Sequence, residues 1–207
     1  MKRLLCLILA VLILMCSSVS VTASNEAEDA FPFKRMALLS VLSSAEGSYI
    51  NHFVLRPVIT YTDNSGSAKG ALFDAVIFDC GTTPKTPVEA ENFIVSLFKE
   101  GINLSAAESV VAELKEGGYA SEDYKYPIFV SLPYYYGAFE TMEDRNIFCT
   151  YFIKTLCSVF DKAEFEHIYL AGISFSIDYD AVPDFRSECA KVVADAKLLS
   201  VAFTTIG

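Results

Sequence analysis

At 207 residues and 22.8 kDa the chain is long enough for one domain with a sizeable core, or two small ones. It is 53% apolar and 20% charged, which excludes an intrinsically disordered chain. Acidic residues outnumber basic ones 26 to 16, giving a net charge of −10 and a pI near 4.6, so the basic face that a nucleic-acid or anionic-lipid partner needs is missing.

The N-terminus has the form of an export signal. Lys2 and Arg3 precede the apolar run Leu4 to Met15, and Val21-Thr22-Ala23 follows as an A-x-A-like cleavage site. The run is shorter than the roughly 20 apolar residues of a spanning helix. Cleavage after Ala23 is expected. An uncleaved anchor and a lipidated Cys16 are the alternatives, although Met15 is bulky where lipidation sites use small residues. Cleavage leaves 14 basic against 26 acidic residues, a charge of −12. The expected organisation is a signal peptide over 1–23, a polar, acidic, poorly ordered leader over 24–35, and an α/β domain over 36–207.

Met36 to Leu42 is the first expected strand. Val54 to Tyr61 is β-branched and aromatic, and Pro57 marks it as an edge strand or a strand start. Asp63-Asn64-Ser65-Gly66 is a turn signal that folds this segment back as a hairpin. Leu72 to Cys80 is a core strand. Thr86, Pro87 and Glu89 form a capping box ahead of a helix that Gly101 can stop, and Ser105 to Glu108 repeats the box ahead of a second helix ending at Gly117-Gly118. Tyr126 to Pro133 is a third core strand, Met142 to Lys162 a long helix, and His167 to Phe175 a fourth strand. A helix over Ala181 to Lys197 and a strand over Leu198 to Thr204 complete the series. Continuous apolar strands separated by helices indicate a mostly parallel sheet with covered faces.

Four cysteines remain after cleavage, namely Cys80, Cys149, Cys157 and Cys189. They are too sparse for a disulfide scaffold and fit small buried hydrophobes. Cys149 and Cys157 share one expected helix, where eight residues span about 12 Å, too far for a bridge. With only His52 and His167 available, no zinc-site spacing occurs, and no metal or cofactor is expected.

Ligands of parallel α/β folds bind at the carboxyl ends of the strands. The residues there are Asp79-Cys80, Tyr134-Tyr135-Tyr136, and Ser174 through Asp178. Asp79 and Asp178 are the candidate carboxylate pair for acid/base chemistry on a glycosidic bond. Each can equally cap a helix or bind a loop. Tyr134, Tyr135 and Phe175 would form a stacking platform for sugar rings, or serve ordinary packing. Asp74 has the parity of Val76 and Phe78, and either lines the barrel interior as a substrate contact or is structural. Glu140 is a further carboxylate, with a first-turn helix role as the alternative. The acidic cluster Asp178, Asp180 and Asp184 lacks EF-hand spacing. His52 is expected as a solvated loop histidine, and Asn103-Leu104-Ser105 is a glycosylation sequon that matters only in a eukaryotic secreted chain. No GxSxG elbow, P-loop or GxGxxG occurs, which argues against serine hydrolases of that fold, P-loop enzymes and classical dehydrogenases.

The segments Pro57 to Tyr61 with the following turn, Leu72 to Phe78, Ser131 to Tyr134, and Tyr169 to Ile173 resemble, in order and spacing, a bacterial family known as domain of unknown function 4855. The resemblance spans 36–204 and implies an exported protein with a glycosidase-type (β/α) barrel, sometimes joined to carbohydrate-binding modules. It implies an acid at position 178. Where the family places a pair of acids, this chain has Ile177 and Asp178, so the first is absent and the second shortened. A complete eight-stranded barrel takes about 250 residues, so an incomplete or reduced barrel is expected. Three functions follow: a glycoside-hydrolase-like protein acting on polysaccharide or descended from one that does, a non-catalytic carbohydrate- or surface-binding module, and a truncated product without a role. A carbohydrate partner, no nucleic acid, no stable membrane insertion and secretion are expected; the oligomeric state is not readable.

Overall fold

In a computed structural model of the chain, the described residues are 31–41, 50–65, 67–80, 87–133, 141–176 and 183–203. In chain order they form β1 (Met36–Ser40), α1 (His52–Ile59), β2 (Thr60–Thr62), β3 (Ala68–Ala71), β4 (Ala75–Asp79), α2 (Pro87–Leu97) and α3 (Asn103–Glu116). After these come β5 (Tyr126–Ser131), α4 (Met142–Ala163), β6 (Ile168–Ser176), α5 (Pro183–Asp195) and β7 (Leu199–Phe203). The expected α/β fold is present. Its main sheet has five strands in the order β1-β4-β5-β6-β7, all parallel, and β2 and β3 form the expected antiparallel hairpin.

Strand order follows chain order, so every crossover steps in the same direction. Right-handed crossovers then put all the helices on one face of the sheet. The packing agrees. Val76, Phe78, Ile128, Val130, Ile173 and Phe175 point into a core shared with residues of all five helices, including Leu55, Phe93, Val110, Phe152 and Val193. Fully burying one such Leu or Phe contributes about 1.5–3 kcal/mol. On the opposite face Met36, Ala75, Ile77, Phe129, Ala171 and Val201 form a second cluster containing no helical residue. Among the described residues, helices therefore cover one face of the sheet rather than the two that the sequence suggests. This one-sided winding is compatible with part of a (β/α) barrel, in which the second cluster would face inward.

Phe31 and Phe33 lie against that second face, with the Phe33 and Phe129 rings edge-to-face at 5.5 Å. Residues 31–35, assigned to the leader from sequence, thus dock on the domain. Asp74 secures them from the other side. It precedes β4 rather than lying within it, and its Oδ2 accepts the backbone N–H groups of Lys34 and Arg35 at 2.8 and 2.9 Å.

The segment expected as an edge strand is mostly the helix α1. Asn51 caps it by accepting from the N–H of Val54, and Leu55, Val58 and Ile59 are buried. Pro57 removes one helical hydrogen bond but sits on the exposed side, where water reaches the freed carbonyl. Burial of one helical face outweighs the β-branched composition. His52 is accordingly no loop residue. Its Nε2 lies 2.6 Å from Glu113 Oε1, and Arg56 Nε lies 3.4 Å from the other oxygen, joining α1 to α3.

The second capping box does not form either. Helix α3 starts earlier, at Asn103, and Ser105 Oγ accepts from Gly101 N–H. Glu108 instead accepts from the N–H groups of Glu166 and His167 at 2.8 and 3.0 Å, fixing the entry to β6. Thr86 lies outside the described residues. Asn103 is wholly buried, its Nδ2 donating to Ser96 O at 2.7 Å and its Oδ1 accepting from Ile50 N–H at 3.4 Å. As a sequon it is inaccessible in the folded domain. Among the described residues, no helix is long and apolar enough to cross a membrane.

Candidate functional site

Parallel strands in unbroken order have no reversal point, so the ligand-binding position left is the carboxyl ends of the strands. Alternation along each strand determines what stands there. Leu38, Ile77, Phe129 and Gly172 share the helix-free face, so the residues two positions further on share it too. Those residues are Ser40, Asp79, Ser131 and Ser174. Ser40 pairs in register with Asp79, and Ser131 with Ser174, while Asp79 and Ser131 directly follow the registered pair Phe78 and Val130. One carboxylate and three hydroxyls thus form a polar row across four adjacent strands, above an apolar layer.

The row is graded in exposure. Ser40 is exposed, Asp79 half-buried, and Ser131 and Ser174 are buried with their hydroxyls 2.8 Å apart. Backbone bonds hold the frame, from Val41 N–H to Asp79 O at 2.6 Å and from Leu132 N–H to Ser174 O at 2.9 Å. A carboxylate beside hydroxyls suits hydrogen bonding to a polyol. Glycosidic cleavage needs a second carboxyl beside that of Asp79.

The other predicted residues are placed less uniformly. Asp178, Tyr134 and Tyr135 lie outside the described residues, as do Tyr136, Glu140 and Asp180. The last described residue of β6, Ser176, stands at the same end of the sheet as Asp79, two positions before Asp178 in the chain. Phe175 has the opposite parity to Ser174 and is 2% exposed within the helix-side core, where it packs rather than presenting a ring. Asp74 stands at the other end of the sheet from Asp79. Its Oδ1 lies 3.4 Å from the Arg35 guanidinium. Partial burial pushes its carboxyl up, but the two backbone N–H groups and Arg35 outweigh this and hold it below the ordinary 3.8.

A test of the structural role of Asp74 follows. Because its folded-state value is depressed, its stabilisation is present above the unfolded-state value and lost as the pH falls through the folded one. Asp74→Asn is expected to cost about 1–2 kcal/mol at pH 7. Urea melts at pH 7 and pH 3 should show that difference shrinking in acid; an equal cost at both values would remove the carboxylate from the anchor.

Ser131 and Ser174 belong to no catalytic motif in the sequence. The available signal was parity, since each stands two residues after an inward apolar position at a strand end. Away from this end, an open groove of about 680 Å³ between α2 and α4 is lined by Ile94, Val95, Phe98, Tyr151 and Val159, with Tyr151 donating to Glu91 at 2.8 Å. Among the described residues no group of three or more His, Cys, Asp or Glu side chains could hold a metal ion. No protein-family profile, curated protein or solved structure matches the chain significantly.

Proposed function

We propose that this is an exported barrel-type protein of the glycoside-hydrolase kind, acting on polysaccharide or descended from an enzyme that does. The observation supporting this reading is the row of Ser40, Asp79, Ser131 and Ser174 at the carboxyl ends of consecutively ordered parallel strands. At its accessible end Ser40 and Asp79 offer a hydroxyl and a carboxylate to sugar hydroxyls, while the buried Ser131–Ser174 pair braces the two strands beside them. In the active form Asp79 and Asp178 act as the acid and base, or as acid and nucleophile.

A second reading, a non-catalytic carbohydrate-binding module, is favoured by Ile177, which stands where the resembled family has its first acid. One experiment separates the two. The full chain is incubated with a panel of soluble polysaccharides, and new reducing ends are measured alongside the melting temperature. On the catalytic reading, Asp79→Asn and Asp178→Asn each lower turnover by about 100-fold or more while the fold persists. Unchanged turnover in both variants overturns the assignment. Absent hydrolysis combined with a melting temperature raised by a glycan supports the binding module instead. Neither hydrolysis nor a shift on any glycan rejects both readings.

A further inference from the structure

All four described cysteines are thiols, but two of them are neighbours. Cys149 on α4 and Cys189 on α5 are 0% and 1% exposed in one core, their helices pack together, and the Cys149 side chain lies close enough to perturb the Cys189 thiol. Cys157 lies about 12 Å further along α4, well beyond bridging distance of Cys149. We propose that Cys149 and Cys189 are a disulfide pair that closes when the chain folds under oxidising conditions, cross-linking the helices on either side of β6. This inference is independent of the proposed activity.

Closure needs an external disulfide, such as glutathione disulfide or an oxidised dithiol protein. The thiolate of one cysteine attacks the donor and forms a mixed disulfide, releasing one donor thiol. The second cysteine's thiolate then attacks the protein sulfur of that bond, releasing the other donor thiol. One S–S bond forms in the protein, two cysteine protons are lost, and the donor takes up two electrons.

The folded environment sets when this occurs. The neighbouring Cys149 side chain and burial both push the Cys189 thiol well above its ordinary value, so the Cys189 thiolate is scarce once α4 and α5 have docked. Burial also keeps a bulky donor out. Closure therefore belongs to the folding chain rather than to the finished domain.

The test uses the full chain, unfolded and reduced in urea, then refolded in reduced and oxidised glutathione. Free thiols are alkylated under denaturing conditions and the peptides mapped by mass. The expected result is a peptide joining Cys149 to Cys189, with Cys6, Cys16, Cys80 and Cys157 alkylated. Reduction of that product should lower its melting temperature by on the order of 10 °C. The same glutathione buffer added to already folded, reduced protein should form the link at least about ten-fold more slowly. Complete alkylation of Cys149 and Cys189 after oxidative refolding, or linkage of either to another cysteine, overturns the proposal. Because the map is made on the unsubstituted chain, no variant has to fold for the result to count. A Cys80→Ala/Cys157→Ala variant should retain the link.

Discussion

Replacing Gly172 by alanine is expected to destabilise the domain by about 3 kcal/mol or more, at the upper end of the usual cost of overpacking. Gly172 is held between two strands, in register with Phe129 of β5 and Leu199 of β7. A Cβ there would fall far inside contact distance of the Leu199 carbonyl oxygen and the Phe129 ring, with Cδ1 of that ring at 2.8 Å. The ring has some freedom to turn away, but the carbonyl belongs to the sheet backbone and does not. Moving Phe129 would also disturb Phe31 and Phe33, which rest on it. The constraint is space, not an unusual dihedral angle. Urea denaturation of Gly172→Ala, alone and combined with Phe129→Leu, measures both contributions. Phe129→Leu should recover only part of the loss. A cost below about 1 kcal/mol for Gly172→Ala would show that β6 and β7 can separate at this point.

The second large effect is expected at Asn103. Its backbone φ is +48°, in the left-handed region, and its amide links the segment before α1, the end of α2 and the start of α3. Asn103→Ala removes both hydrogen bonds, leaves buried polar groups behind and keeps the conformational penalty of a Cβ. The expected loss is about 2–4 kcal/mol. Asn103→Gly removes the same amide but adopts the left-handed conformation without strain, so it should be milder by about 1 kcal/mol. Equal losses for the two variants would assign the whole effect to the amide and none to the backbone. Denaturant midpoints for the pair decide this.

The sequence made the framework legible where local and tertiary preferences agree. The runs at Val76, Ile128 and Ile173 have no other place than a buried parallel sheet, and the helix through Phe148, Phe152 and Leu156 shows its stripe plainly. The segment from Val54 to Tyr61, most of which lies in α1, reads as a strand because its β-branched residues and Pro57 favour one locally. Only its packing against α3 makes it a helix. Glu108 resembled a cap residue, and nothing nearby in the chain signals that its partners are Glu166 and His167. Asp79 was legible as a strand-end acid. The serine pair was less so, because serine is common at such positions and its meaning comes from the register between β5 and β6. Phe175 shows the cost of reading a site by sequence proximity alone, since one step along a strand exchanges one face of the sheet for the other.

The order of the sheet also bears on how the domain comes to exist. Each strand after β1 docks beside the one that entered the sheet just before it, and no strand is inserted between two that are already paired. A chain synthesised through β5 already holds three adjacent strands together with the helices that cover them, and each later crossover adds one strand to a single growing edge. Assembly can therefore proceed in the direction of synthesis, with β7 arriving last.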